Sequence, residues 1–201
     1  MYVTTDGIFP GDTPMCSETV LPCPRTVYGR SKLHGEWETQ LATPNHLIVR
    51  TNFYGWSAGV KSTSAEWLYD ALARGEPITL FDDFWFTPIY VADLVQRLLA
   101  LIDAGHTGIF NIVGSERVSK HDFGMRLAAA AGFGTASVRR GSIAGAPLIA
   151  PRPRDMSLSS AKLAAATGRP APDCGAGLKR FIADRSRPLE ERFAAACETI
   201  T

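Results

Sequence analysis

Tyr2-Val3-Thr4-Thr5 and His46-Leu47-Ile48-Val49-Arg50-Thr51 are two short runs of apolar and β-branched residues, and a helical pattern lies between them. Each run has the length and composition of a buried strand. The first opens at Asp6 into a Gly/Pro-rich loop that reaches Thr26. A helix is expected from about Tyr28 to Ala42, where Leu33, Trp37 and Leu41 fall near helical spacing, and Thr43-Pro44-Asn45 ends it. Strand, helix and strand in succession predict a parallel α/β sheet with the helix as crossover.

Beyond Gly55 the pattern loosens. Ser64 to Arg74 reads as a helix stopped by Gly75-Glu76-Pro77, and Ile78 to Phe81 and Phe86 to Val91 read as short strands. Ala92 to Ala104 is an amphipathic helix, followed by the apolar strand Ile109 to Val113. Ser119 is placed to cap a helix from Lys120 to Ala131, because its hydroxyl accepts a free backbone N–H. Gly132-Phe133-Gly134 reads as the helix C-cap and turn. Ala144 to Pro153 is expected to be a loop, Ser159 to begin a short helix, and Leu178 to Ala183 and Leu189 to Cys197 to form terminal helices.

The chain has 201 residues, enough for one ordinary domain or two small interlocked lobes, and 45% are hydrophobic, as in a globular core. Its 21 Lys+Arg and 20 Asp+Glu leave a net charge of +1, which argues against nucleic acid or an anionic membrane as a partner. Apolar runs are broken by Asp, Arg or Gly, so no transmembrane helix is expected. Met1 to Phe9 has no basic region followed by an apolar stretch, which argues against a signal peptide and for the cytoplasm. Cys16, Cys23, Cys174 and Cys197 lack metal or redox spacing, and His34, His46, His106 and His121 are scattered, so no metal site is expected.

The chemical signal is Tyr28-Gly29-Arg30-Ser31-Lys32 at the start of the first helix. Positions i and i+4 share a helix face, so a phenol and an ammonium project side by side. A free phenol has a pKa near ~10. A neighbouring ammonium favours the phenolate, so the tyrosine can exchange a proton with a carbonyl or alcohol oxygen. The motif alone is common. Its context is specific: a strand ending in Thr4-Thr5-Asp6 lies upstream and one ending in Arg50-Thr51-Asn52 lies downstream. Ligands of open α/β sheets bind at such carboxyl ends of strands.

Six blocks, in order, resemble the dTDP-4-dehydrorhamnose reductases and related extended short-chain dehydrogenases/reductases. They are Tyr2 to Phe9, Tyr28 to Glu36, Val49 to Gly55, Thr87 to Leu94, Gly108 to Gly114, and Pro151 to Asp155 with Leu158 and Lys162. The resemblance implies the C-terminal part of a Rossmann-type parallel sheet with a smaller α+β substrate-binding lobe. Residues 1–55 would be the remnant of the Rossmann domain and 56–201 the lobe, with about 86–113 returning to the sheet. It implies NAD(P)H-dependent reduction of a nucleotide-linked 4-keto sugar. Thr5 would hydrogen-bond the substrate carbonyl, Tyr28 would be the acid/base, and Lys32 would tune Tyr28 and hold the nicotinamide ribose. Thr51, Asn52 and Phe53 would border the nicotinamide and the sugar. Arg152 or Arg154 would meet the diphosphate, and Asp6 and Glu18 would orient the loop or the sugar hydroxyls. Gly7 stands where the family often has Tyr, and Phe53 where it often has Trp, so the identity of the sugar stays open.

The family's cofactor phosphates rest on a glycine-rich turn between its first strand and helix. No such turn precedes Tyr28. About three βαβ units of roughly 30 residues each would be missing. The expectation is a fragment or an internal start. The alternatives are a second chain that supplies this half (or a homodimer), and a non-catalytic sugar-nucleotide-binding or regulatory module. An epimerase or dehydratase of the same superfamily also stays open.

Overall fold

A computed structural model describes residues 1–57, 59, 61–145, 153–188 and 191. Arg152, and all of the expected Leu189 to Cys197 helix except Glu191, therefore lie outside the described residues.

The two strands that decide the fold are present: β1 (Tyr2–Thr5) and β2 (Leu47–Thr51), joined by α1 (Val27–Ala42). They pair in parallel, with Thr5 opposite Thr51. Thr26 caps α1 by accepting the Gly29 N–H at 3.0 Å. The chain continues through β3 (Phe53–Tyr54), α2 (Ser64–Ala73) and β4 (Ile78–Phe81). Next come β5 (Trp85–Phe86), β6 (Ile89–Tyr90), α3 (Val91–Asp103) and β7 (Gly108–Asn111). β8 (Val118–Ser119) leads into α4 (Lys120–Ala131), followed by β9 (Val138–Gly141), α5 (Ala161–Thr167) and α6 (Cys174–Ala183).

β7 joins the far side of β2, giving a parallel sheet in the order β1-β2-β7. Every residue of β2 is buried, as expected of an inner strand covered on both faces. Val49 and Phe110 point into a core with Leu94 and Leu101 of α3 and Leu163 of α5. On the opposite face α1 lies close to β1: a Cβ on Gly35 would come within 2.3 Å of the Tyr2 hydroxyl. A larger aromatic core joins α2, α4 and α6, in which Tyr54, Tyr90, Phe123 and Phe181 pack together.

Three local expectations are corrected. The strand expected over Phe86 to Val91 is two short strands in different sheets, β5 with β8 and β6 with β3. Thr87-Pro88 separates them, since proline has no N–H for a ladder and fixes its own φ. β9 was not expected at all, because Val138-Arg139-Arg140-Gly141 carries two exposed arginines. Its backbone nonetheless pairs in parallel with β4. Helix α6 begins at Cys174, ahead of Leu178, because the Asp173 carboxylate accepts the Ala176 N–H at 2.7 Å. The Ser119 cap is as expected, with its hydroxyl accepting the Asp122 N–H at 2.9 Å. Gly132 takes the left-handed φ of 72° that ends α4. Among the described residues no helix is long and apolar enough to cross a membrane.

Candidate active site

A cleft of about 1450 Å³ opens at the carboxyl ends of β1 and β2. Thr5, Asp6 and Gly7 form one wall, Tyr28 stands on the rim, and Asn52 and Phe53 follow from the end of β2. The opposite wall comes from the lobe, with Trp56 and Trp67 on one side and Phe84, Phe86 and Lys120 on the other. Trp56 is held rigid: it stacks on Phe181 at 4.2 Å and donates its indole N–H to the Phe181 carbonyl at 2.6 Å. Pockets for a single small ligand are about 300–1,000 Å³, so this cleft has room for more than one.

The chain turns sharply after β1 because Thr5 caps the short turn Asp6–Ile8, its hydroxyl oxygen accepting the Gly7 N–H at 3.1 Å. The same hydroxyl donates to Asp6 Oδ1 at 3.0 Å, and Asn52 Nδ2 donates to Asp6 Oδ2. Asp6 is only 4% exposed. Burial pushes its carboxyl up to about 6, against the pull of the Asn52 and Thr5 hydrogen bonds and the Lys120 charge. Because the folded state binds this proton more tightly than the usual 3.8 allows, Asp6 contributes stability that is complete below about 4 and lost as pH rises through about 6. Asp6→Asn is therefore expected to raise the melting temperature at about pH 8, by up to about 3 kcal/mol in stability, and to leave it unchanged at about pH 3. Paired thermal melts at the two pH values check this.

Tyr28 is exposed on the first turn of α1 and lines the cleft that Thr5 also lines. Lys32, one turn on, is half-buried, and its ammonium donates to the Val3 carbonyl of β1 at 2.9 Å. An ammonium has three donors, so this bond fixes its position beside the strand without exhausting it. The first turn of α1 sits hard against the Asp6–Ile8 turn: a Cβ on Gly29 would lie 2.2 Å from the Gly7 carbonyl oxygen and 2.9 Å from Pro24 Cβ. Gly29→Ala must push Tyr28 away from Thr5. It is expected to cost about 1–3 kcal/mol in stability and to lower turnover more than that loss of folded protein explains. Melting temperature and turnover measured on the same preparation test it.

Several expected residues lie elsewhere. Thr51 is 4% exposed, does not line the cleft, and its hydroxyl has no hydrogen-bond partner among the described residues. Glu18 is half-buried and accepts the Asn111 backbone N–H at 2.8 Å, tying a loop to β7. Arg154 is exposed and outside the cleft lining, where its charge favours the Asp83 carboxylate. In the same block Asp155 binds Arg117 at 2.6 Å while Arg117 stacks over Trp85, and Lys162 donates to the Ile109 carbonyl of β7 at 2.7 Å. Lys120 is a cleft residue that the sequence did not announce. It lies far from Thr5 in the chain, and only the packing of α4 brings its ammonium over the Phe86 ring, 3.5 Å from the centroid, on the cleft wall. The Ser119 cap fixes where its helix starts but not what that end faces.

Comparison with known proteins follows the same lines. Residues 1–187 match the family described as RmlD substrate binding domain. The dTDP-4-dehydrorhamnose reductase of Mycobacterium tuberculosis is 34% identical over 172 residues, 83% of this chain and 56% of the relative. A probable low-salt glycan biosynthesis reductase of Haloferax volcanii is 31% identical over 158 residues, 77% of this chain and 53% of the relative. The chain thus spans about half the length of these relatives. The crystal structure of dTDP-4-dehydrorhamnose reductase from Bacillus anthracis, in complex with NADP, superposes with a TM-score of 0.84 at 26% identity, covering 91% of this chain and 64% of that one. With the match running from residue 1 to residue 187 and the fold shared with a solved reductase, the chain belongs to the RmlD substrate binding domain family.

Proposed function

We propose that the protein takes part in the NAD(P)H-dependent reduction of a nucleotide-linked 4-keto sugar. The observation that carries this reading is that Thr5 and Tyr28 line one cleft at the strand ends. In it, Tyr28 gives its phenolic proton to the carbonyl oxygen, with Lys32 one turn along the same helix. Thr5 donates a hydrogen bond to the same oxygen, and Asn52 and Phe53 border the sugar. Lys120 adds a positive charge on the opposite wall, suited to an anionic substrate. In this reading residues 1–55, with β7 completing their parallel sheet, supply one wall of the cleft, and residues of the later lobe supply the other.

NAD(P)H, when bound, supplies hydride to the carbonyl carbon. The cleft fits its nicotinamide riboside end: Tyr28 and Asn52 line it and would hold that end, beside space large enough for the sugar, while Lys32 stands one turn along α1, outside the lining and bonded to the Val3 carbonyl. The pyrophosphate needs a backbone cradle, and the glycines before α1 do not make one. Gly11 has a φ of +82°, but a Cβ there would lie 2.0 Å from Pro153 Cβ, so it serves a close approach of two loops. Gly29 is pressed against Gly7.

Calorimetric titration of the purified protein with NADPH and, separately, with a dTDP-linked 6-deoxy sugar tests the reading. Dissociation constants from about 1 μM to 1 mM are expected, in the range typical of Michaelis constants. A folded, monodisperse protein that binds the sugar nucleotide but not NADPH would favour a non-catalytic binding module. One that binds neither would remove both readings.

A further inference from the structure

We propose that Asp6 is a positioning residue that sets the polarity of the Thr5 hydroxyl, so that the cleft offers a hydrogen-bond donor to a carbonyl only while Asp6 carries a proton. The proposal rests on the role given to Thr5 above and adds a gate to it.

The argument is a count of protons and lone pairs. A threonine hydroxyl has one proton and two acceptor sites. One acceptor site of Thr5 is taken by the Gly7 N–H at 3.1 Å, and the oxygen lies 3.0 Å from Asp6 Oδ1. Ionised Asp6 can only accept. It therefore takes the Thr5 proton, and what Thr5 turns to the cleft is a lone pair. A ketone oxygen, itself only an acceptor, finds no donor there. Protonated Asp6 reverses the bond: its O–H donates to Thr5, and the Thr5 proton turns outward to the carbonyl. Asn52 Nδ2 holds the other carboxyl oxygen, so the proton of Asp6 belongs on the oxygen facing Thr5.

The surroundings make the two states comparable in energy. Asp6 is almost fully buried, and burial raises its affinity for a proton into the range where it changes state near about pH 6. Of the charged groups on neighbouring elements, Lys120 at the start of α4 favours the carboxylate. On α1, the Lys32 ammonium is bonded to the Val3 carbonyl, and Tyr28 faces the cleft. Beneath β1, Glu36 and Arg50 are paired with each other, and Asp155 on the returning segment is paired with Arg117.

The test compares two ligands, without nicotinamide, in calorimetric titrations at about pH 5 and about pH 8. The probes are dTDP-4-keto-6-deoxyglucose and its 4-hydroxy counterpart, dTDP-6-deoxyglucose. An alcohol can either donate or accept, so its affinity is expected to change less than about twofold. The ketone is expected to bind about five- to tenfold more weakly at the higher pH, the worth of one hydrogen bond. In Asp6→Asn an amide N–H donates to Thr5 as the protonated acid does, so the ketone keeps its acid-side affinity at both pH values. A merely structural Asp6 would weaken both ligands alike at every pH. Equal pH responses of ketone and alcohol, or an Asp6→Asn variant that keeps the wild-type response, overturn the gate and leave the cleft assigned to sugar nucleotides. Binding of neither ligand overturns that assignment instead. The Thr5–Asp6 bond is then read by carbon-13 NMR of the Asp6 carboxyl, whose titration midpoint must rise in Thr5→Val. An unmoved midpoint overturns the coupling itself.

Discussion

Tyr28→Phe is expected to lower turnover of a nucleotide-linked 4-keto sugar by about 100- to 10,000-fold, the usual worth of a positioned general acid. Stability should hardly change, because Tyr28 is 60% exposed and the variant removes only a hydroxyl. The loss should fall on the chemical step, with ligand affinity changed far less, since the proton is needed only as the carbonyl oxygen gains charge. Lys32→Ala is a different case. It removes the charge one helical turn from Tyr28 and also the bond to the Val3 carbonyl, so it should lower both turnover and stability. Steady-state kinetics with thermal melts on the same preparations separate the two. Tyr28→Phe turnover within about threefold of wild type would mean that another group supplies the proton.

The second large effect concerns what holds α1 in place. Glu36 on α1 and Arg50 on β2 are 1% and 3% exposed at their side chains and meet at 2.8 Å, with the Arg50 Nε a further 3.2 Å from the other carboxylate oxygen. The guanidinium also lies over the Phe9 ring, 5.3 Å from its centroid. Glu36→Gln leaves the Arg50 charge buried with no carboxylate opposite, and breaking such a pair costs about 3–5 kcal/mol. At about 1.4 kcal/mol per decade this is two to four orders of magnitude in the folding equilibrium. The paired replacement Glu36→Leu with Arg50→Met should recover most of the loss, because desolvating both ions offsets much of their attraction. Urea denaturation of the two variants checks both statements. A single variant within about 1 kcal/mol of wild type would show that water reaches the pair. Because the pair anchors the helix that carries Tyr28, Glu36→Gln should also lower turnover, and the double replacement should restore part of it.

The part of the fold that makes the site was legible in the sequence because it follows local rules. β1, α1 and β2 read as apolar strand, helix and apolar strand, and the carboxyl ends of the two strands meet where such sheets bind ligands. Thr5, Asp6, Tyr28, Asn52 and Phe53 follow directly from that geometry. β9 did not show because parallel pairing is made by backbone, and the side chains of Arg139 and Arg140 point to water. The split between β5 and β6 was written in Pro88, but which sheet each half joins depends on distant partners. Trp67 and Lys120 reach the cleft through the packing of α2 and α4, and Phe84 from the turn before β5, and no local spacing encodes that. Glu18 and Arg154 show the limit of motif reading: of the two roles the resemblance implies for Glu18, loop or sugar, the hydrogen bond from Asn111 fits the loop, and Arg154 lies outside the cleft lining, where its charge favours the Asp83 carboxylate.

The most direct measurement is the fate of a label. The purified protein is incubated with a dTDP-linked 4-keto-6-deoxy sugar and NADPH deuterated at the transferable position, and the sugar nucleotide is analysed by mass spectrometry and proton NMR. One deuterium on the former carbonyl carbon is expected, with the signal lost in Tyr28→Phe. Binding of both ligands with no deuterium transferred, or equal transfer in the phenylalanine variant, would contradict the assignment of Thr5 and Tyr28 to carbonyl reduction.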